Sequence, residues 1–432
     1  MNKLYKALLL SLCGILAFVG IFSLVFLGVT ASLGTQDPAG KPVFSASALL
    51  DGSYMVELEE YFADNFPLHD FFMDANRVLN HFYFFSPSDN LLAIDFHGGA
   101  EQGGIALDPS DNSVEEQKPL FQEPDESEVT SVGTIIIHGN RAMDIPTALN
   151  ESIVAYGETV STIADALGED FRVFSLITPN SGQFYSPKSY HTGIHDQKAM
   201  IDLCYGSMNE NVTTVDAYSA LAGRIDEYLF FRTDHHWTQK GAYYAYTAYC
   251  EAAGLQATEL QQHQTGSYDR FIGSMYNYTY GYPQSNALKN EPDILTYYLP
   301  VCNASAEYFD EPTLSYGSTI DVVNQSLDEG IQNKYLCFIS GDTPICMIEA
   351  ENDGGTCLIL KDSYGNAFIP FLTANYSRII AVDPREFSGE GEPVLDLATF
   401  AKEQGVDDVL ILNYPFMMCN NSYISNLASL IS

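Results

Sequence analysis

The stretch from Thr356 to Tyr414 alternates three apolar runs with two helix-like ones. TCLILK, RIIAVD and DVLILNY are short, continuous and rich in leucine and β-branched residues, which is the composition of strands buried on both faces. SYGNAFIPFLTANY and the segment from Val394 to Gln404 carry helical spacing between them. Two parallel strands need a long crossover, and a helix supplies it, so this order builds a parallel sheet. The rhythm also occurs earlier: GTIIIHG reads as a strand, Ser152 to Leu167 as a helix, and FRVFSLITP as a buried strand ending at Pro179. The expected fold class is therefore α/β, three layers with a parallel sheet in the middle. Pro370, inside the first of the later helices, predicts a kink or a restart.

At 432 residues the chain has room for one large α/β core with additions. MNKLYK holds two lysines and is followed from Ala7 to Gly34 by no charged residue, a run long enough to span a bilayer. Lys3 and Lys6 should stay cytoplasmic, which makes residues 1–34 a single-pass anchor in the cell membrane and places the ectodomain outside the cytoplasm. A signal peptide cleaved near VTAS is the alternative. Residues 35–131 read as a short linker, an amphipathic helical segment interrupted at Phe66-Pro67, and an acidic loop from Glu101 to Ser131. Residues 132–432 hold the α/β domain, with an irregular insertion rich in Tyr, Asn and Gly at about 258–335.

Charge and cysteines narrow the function classes. Lys+Arg 19 against Asp+Glu 56 gives a formal charge of -37, a field that repels nucleic acid and anionic headgroups and suits neutral or cationic material. Solubility alone also explains it. Of the 8 cysteines, Cys13 lies in the anchor, and no CxxC spacing suggests a zinc knuckle. An exported chain can form disulfides among the rest, and their odd number leaves at least one thiol without an intramolecular partner.

Functional side chains in a parallel α/β sheet gather where strands end and helices begin. KDSYGN sits at such a place, so the Ser363 hydroxyl can project there beside N–H groups able to stabilise an oxyanion. A helix N-cap role for Asp362 or Ser363 is the alternative. RTDHHWT supplies a base. In an extended segment residues i and i+2 share a side, which puts Asp234 with His236 and turns His235 away. A carboxylate against one imidazole nitrogen fixes the tautomer and frees the other nitrogen for a serine proton. Trp237 can wall the site, and GAYYAYTAYCEAAGL reads as the helix that anchors it. Capping of that helix is a second reading; metal binding is a third, although no further ligand stands out.

TDHHWTQKGAYYAY and LKDSYGNAFIPFL resemble the DHHW protein family, related to the alginate O-acetyltransferase proteins with an SGNH-hydrolase-like domain. EEYFADNFPLHDFF, FRVFSLITPNSGQFY and RIIAVDPR extend the resemblance over most of the ectodomain. It implies an SGNH-hydrolase-like three-layer sheet in permuted order, because the D-x-H pair precedes the serine. It also implies Ser363 as nucleophile, His236 as base and Asp234 as orienting acid. Arg385 matches the family's active-site arginine, a surface salt bridge being the alternative, while Asn180, Tyr185, Gly365 and Asn366 are expected around the oxyanion or substrate. No cofactor and no metal are expected. The implied reaction is serine-dependent transfer of an acyl (acetyl) group to a cell-surface polysaccharide, the donor being supplied by a membrane-bound O-acyltransferase. A carbohydrate esterase of the same fold, or a non-catalytic glycan-binding surface protein, are the alternatives. The chain departs from the family in Lys361-Asp362 where Gly-Asp is usual, in His69 where an arginine follows Phe-Pro, and in the acidic insertion. The missing glycine bears on the oxyanion-hole geometry.

Overall fold

The computed structural model describes residues 129–431, apart from 148, 329 and 388–394. The expected anchor, the helical segment after it and nearly all of the acidic loop lie outside the described residues. Among the described residues no helix is long and apolar enough to cross a membrane.

The described chain opens with three short strands, β1 (Thr130–Val132), β2 (Ile135–His138) and β3 (Arg141–Asp144), paired antiparallel in a sheet of their own. β2 is the strand expected at GTIIIHG, but it does not join the parallel sheet. After helix α1 (Asn150–Leu167) come β4 (Arg172–Ile177), helix α2 (Gln197–Gly206) and β5 (Val212–Val215). Helix α3 (Gln239–Ala253) leads to a hairpin-like pair, β6 (Thr265–Phe271) and β7 (Asp293–Tyr298). Strands β8 (Ala304–Phe309), β9 (Gly317–Ile320), β10 (Ile345–Ala350) and β11 (Gly355–Lys361) follow. The chain ends with helix α4 (Tyr364–Leu372), β12 (Tyr376–Val382), helix α5 (Leu397–Glu403), β13 (Asp408–Asn413) and helix α6 (Asn421–Ser429).

The main sheet is 8-stranded in the order β5-β4-β13-β11-β12-β10-β8-β9. From β5 to β12 every pairing is parallel, and from β12 to β9 every pairing is antiparallel. The expectation of a parallel sheet thus holds for the centre and needs correcting at one edge, where the sheet is mixed. The correction comes from the supposed irregular insertion: β8 and β9 lie inside it and extend the sheet through β10. Their sequences alternate or are largely exposed, in contrast to the fully buried run of β13, because antiparallel strands at this end of the sheet, with β9 its edge, can leave one face to water.

Crossover handedness sets the layers. β4 to β5 through α2 and β12 to β13 through α5 step one way along the sheet, whereas β11 to β12 through α4 steps the other way. Right-handed crossovers in opposite directions put their helices on opposite faces. Accordingly α1 packs with α2, α5 and α6 in one layer, and α3 packs with α4 in the other. Pro370 lies inside α4, which runs unbroken to Leu372 and is followed by a turn rather than a restarted helix. The seven described cysteines are all free thiols, so no disulfide forms among them, and burial pushes Cys346 and Cys419 up to about 12.

The reversal of direction between β4 and β11 is a topological switch, and in such sheets functional groups gather beyond the carboxyl ends of the parallel strands. Asn180 follows β4, Ser363 follows β11, Arg385 follows β12 and Tyr414 follows β13.

Candidate active site

Arg232 to His236 is a tight bend and not the extended segment expected from the i, i+2 argument. Its two ends are tied together: Phe230 and Trp237 form an antiparallel bridge, and the Phe231 N–H donates to the His236 carbonyl at 3.2 Å. Inside the bend Asp234 Oδ1 accepts the His236 backbone N–H at 3.0 Å and lies 2.6 Å from His236 Nδ1. Asp234 and His236 therefore share a side because an aspartate-held turn folds one onto the other. Asp293 on β7 fixes the start of the bend, its Oδ2 accepting from the Thr233 N–H at 2.8 Å and the Thr233 hydroxyl at 2.7 Å. Ser274 donates its N–H to Asp234 Oδ2 at 2.9 Å. The approach is close enough that a Cβ on Gly273 would sit 2.3 Å from Asp234 Cβ, so only glycine fits there.

Capping of α3 falls to another residue. Thr238 accepts the Gly241 N–H on its hydroxyl oxygen at 3.2 Å, which leaves Asp234 and both histidines free of that duty. Trp237 is fully buried, and its indole N–H donates to the Tyr364 carbonyl at 3.0 Å, tying the bend to the first turn of α4.

Ser363 is the half-buried residue between β11 and α4. Its hydroxyl makes no capping bond. Asp362 takes that part instead: Oδ1 accepts the Tyr364 N–H at 2.8 Å, and Oδ2 accepts the Tyr414 N–H at 2.9 Å and Asn413 Nδ2 at 3.1 Å. Burial nevertheless pushes the Asp362 carboxyl up to about 6. The Ser363 hydroxyl lies 2.7 Å from His236 Nε2. With a carboxylate at Nδ1, the ring proton belongs on that nitrogen, and Nε2 is left to accept from the serine. Burial alone would raise the Asp234 carboxyl, but the adjacent His236, its hydrogen bond, His235 and the Ser274 N–H hold it well below the usual carboxylate range. The arrangement is a hydrogen-bonded line from carboxylate through imidazole to hydroxyl.

The remaining sequence candidates fall in two groups. Asn180 is buried beyond the end of β4: Oδ1 accepts the Gly182 N–H at 2.9 Å and Gln197 Nε2 at 2.7 Å, while its own Nδ2 is buried without an acceptor. That orphan is a donor of the kind an acyl oxygen takes. Tyr185 packs instead, with its hydroxyl donating to the Ile225 carbonyl at 3.0 Å and the Arg141 guanidinium 4.3 Å above its ring. Gly365 and Asn366 donate their N–H groups to the Asp362 and Ser363 carbonyls, closing the first turn of α4. Arg385 is held in ion pairs rather than at the surface: Nε donates to Asp383 at 2.8 Å and Nη2 to Asp342 at 2.7 Å. Lys361, fully buried, joins the same network, its Nζ 3.2 Å from Asp342 and 3.7 Å from Asp383. Asn366 Nδ2 also donates to Asp342, at 2.9 Å.

Asp234, His235 and His236 present possible ligand atoms within 4.8 Å of one another. Asp234 Oδ1 and both ring nitrogens of His236 already have hydrogen-bond partners, and His235 Nδ1 lies 2.6 Å from the Ser274 hydroxyl. This donor set fits a proton relay better than a cation.

Three residues near the line carried no signal in the sequence. The Tyr335 ring stacks on His236, centroids 3.8 Å apart and planes 6° apart, and its hydroxyl donates to the Ser363 carbonyl at 3.1 Å. Ser274 holds Asp234 and His235 at once. Asp144, at the end of β3, has its carboxyl pushed up to about 7 by burial and by the charge of Asp234. His235 is not turned away as expected, since the bend brings its ring to 3.7 Å from that of His236.

A family model described as DHHW protein matches residues 111–382. Among solved structures, a DHHW family protein from Eubacterium siraeum aligns at 27% identity with a TM-score of 0.61, covering 71% of this chain and 98% of that one. PatB1 of Bacillus cereus, solved with a sulfonyl adduct, aligns at 16% identity with a TM-score of 0.53, covering 67% and 97%. The O-acetyltransferase domain of Pseudomonas putida AlgJ aligns at 16% identity and a TM-score of 0.38 over 69% and 98%. No curated protein matches the chain.

Proposed function

The chain belongs to the DHHW protein family, whose model spans residues 111–382 of its 432, and from that premise we propose that it is a serine-dependent O-acyltransferase acting on a cell-surface polysaccharide. The observation that carries this reading is the line from Asp234 through His236 to Ser363, with contacts of 2.6 and 2.7 Å. Ser363 attacks the acyl carbonyl and His236 Nε2 takes the hydroxyl proton, while Asp234 stabilises the imidazolium. The proton then passes to the departing donor group, leaving an acyl ester on Ser363. In the second half His236 removes a proton from a sugar hydroxyl, that oxygen attacks the ester, and Ser363 recovers its hydrogen. Asn180 Nδ2, buried and without an acceptor, supplies a donor for the oxyanion.

The group transferred is an acetyl, and its donor is a membrane-bound O-acyltransferase working beside the segment 1–34. That segment anchors the enzyme, and catalysis takes place outside the cytoplasm. The half-buried setting of Ser363 favours one second reading, an esterase in which water attacks the same acyl-serine. Incubating the ectodomain with an acetyl-ester donor and candidate glycans separates them: acetylated glycan supports transfer, free acetate alone supports the esterase, and neither product removes both.

A further inference from the structure

His236 lies between two rings. Tyr335 is parallel to it at 3.8 Å, and His235 approaches at 3.7 Å with a tilt of 37°. One face of an imidazole has room for a single ring at that distance, so the two neighbours cover opposite faces. Each is fixed from outside the sandwich. Tyr335 donates its hydroxyl to the Ser363 carbonyl, and His235 is held through Nδ1 by the Ser274 hydroxyl and through its carbonyl by the Tyr364 hydroxyl.

We infer that Tyr335 and His235 are positioning residues for the base, a clamp that keeps the imidazole plane aimed from Asp234 to Ser363 and uses the Tyr335 face to stabilise the imidazolium. This rests on the role proposed above for His236. Hydrogen bonds at both ring nitrogens leave the imidazole able to rock about the line joining them, and two covering rings remove that freedom. An aromatic face within about 6 Å attracts a cation, so charge gained by His236 during serine attack is favoured by Tyr335. His235 must not carry charge of its own, and burial together with the neighbouring His236 pushes it down to about 3, so it serves as a neutral wall. The other groups facing the imidazole are Asp234 in its own bend and Ser363 and Tyr364 at the start of α4. Asp342 and Arg385 act on His235, and Asp144 acts on Asp234. All of these stay in place when Tyr335 is changed, so a difference between variants reads the stack.

The test compares Tyr335→Phe, which keeps the ring and loses the hydroxyl, with Tyr335→Leu, which loses the ring. NMR relaxation of ring-labelled histidine in the full chain requires no turnover, so it decides the clamp even if the acyltransferase reading fails. In Tyr335→Leu the order parameter of the His236 ring falls out of the rigid range to below about 0.6, while Tyr335→Phe stays at the parent value. On an acetyl ester, Tyr335→Leu loses about tenfold in kcat with KM within about twofold, because the stack acts on the charge that develops in the transition state. Should the leucine variant not fold, Tyr335→Met, closer in length, replaces it. An unchanged order parameter in the variant lacking the ring overturns the inference. So does a fall in Tyr335→Phe as large as in Tyr335→Leu, which would assign the effect to the bond with the Ser363 carbonyl.

Discussion

Two charged clusters stand next to each other at the ends of β11 and β12. In the first, Asp234, His236 and Ser363 form a chain of hydrogen bonds whose last member is a half-buried hydroxyl. In the second, Lys361 and Arg385 are set against Asp342 and Asp383, and each cation reaches both carboxylates. Burial alone would raise the Asp342 carboxyl, but Lys361 and Arg385 hold it well below the usual range. The second cluster is balanced and has nothing left to transfer. In the proposed reaction the first passes a proton only when a substrate meets its open end. Desolvated charge is common to both, so what distinguishes chemistry from scaffolding here is the unclosed end.

The largest effect should come from breaking the first cluster. Ser363→Ala and His236→Ala are each expected to lower acetyl transfer by about 10³-fold or more while leaving the melting temperature close to that of the parent. Acetylated glycan per folded molecule is the measurement. Retained transfer in Ser363→Ala would remove the proposed nucleophile.

The second cluster should answer in the other currency. Lys361→Met removes a fully buried cation and leaves two carboxylates to Arg385 alone. Breaking a sealed pair costs about 3–5 kcal/mol, and because Asp342 keeps 33% of its side chain in solvent, about 2–3 kcal/mol is expected in urea denaturation. Activity per folded molecule should stay within about threefold. A loss of activity as deep as that of Ser363→Ala, at intact stability, would merge the two clusters into one machine.

How much of this was legible in the sequence depends on the distance over which partners are chosen. The runs at TCLILK, RIIAVD and DVLILNY announce buried parallel strands because both faces of each are apolar. β8 and β9 escaped notice because half-exposed antiparallel strands carry no such run. The D-x-H spacing pointed to Asp234 with His236, although the bend, and not an extended backbone, brings them together. Tyr335 and Ser274 come from remote parts of the chain and are ordinary residues in their local sequence, so only the tertiary fold shows them against the imidazoles. Lys361 looked like a departure at the oxyanion turn; the fold shows its charge answered by Asp342 and Asp383.

The clusters should also differ in how they respond to pH. Asp342 has a depressed carboxyl, so its contribution is fully present above the unfolded value of 3.8 and is lost only as pH falls through the lower folded value. Asp144, beside the first cluster, is raised from 3.8 to about 7. The folded chain then binds the extra proton between those values, and stability declines as pH rises through that window. Asp144→Asn should remove part of the decline, about 2 kcal/mol between pH 5 and pH 8, with the raised Asp362 still contributing the remainder. Urea midpoints of both proteins at the two pH values check it, and parallel slopes would show that Asp144 does not hold its proton in the folded state.

The smallest effect tests how the two clusters are joined. Lys361 lies two residues before Ser363, and its stem runs across the first turn of α4, so a Cβ on Gly365 would meet Lys361 Cβ at 2.7 Å and Cδ at 2.9 Å. The glycine at 365 is therefore tied to the lysine at 361. Gly365→Ala alone should cost about 1–2 kcal/mol by overpacking, since the nearest atom belongs to the root of the lysine side chain and cannot swing aside. In a Lys361→Gly background the same alanine has nothing to strike, and helix propensity then favours it over glycine by up to about 1 kcal/mol. The double-mutant cycle should consequently show a coupling of about 1–3 kcal/mol between the two positions. Additive effects would mean that Gly365 serves the backbone of the Ser363 turn itself, and the lysine would then have been accommodated by some other change.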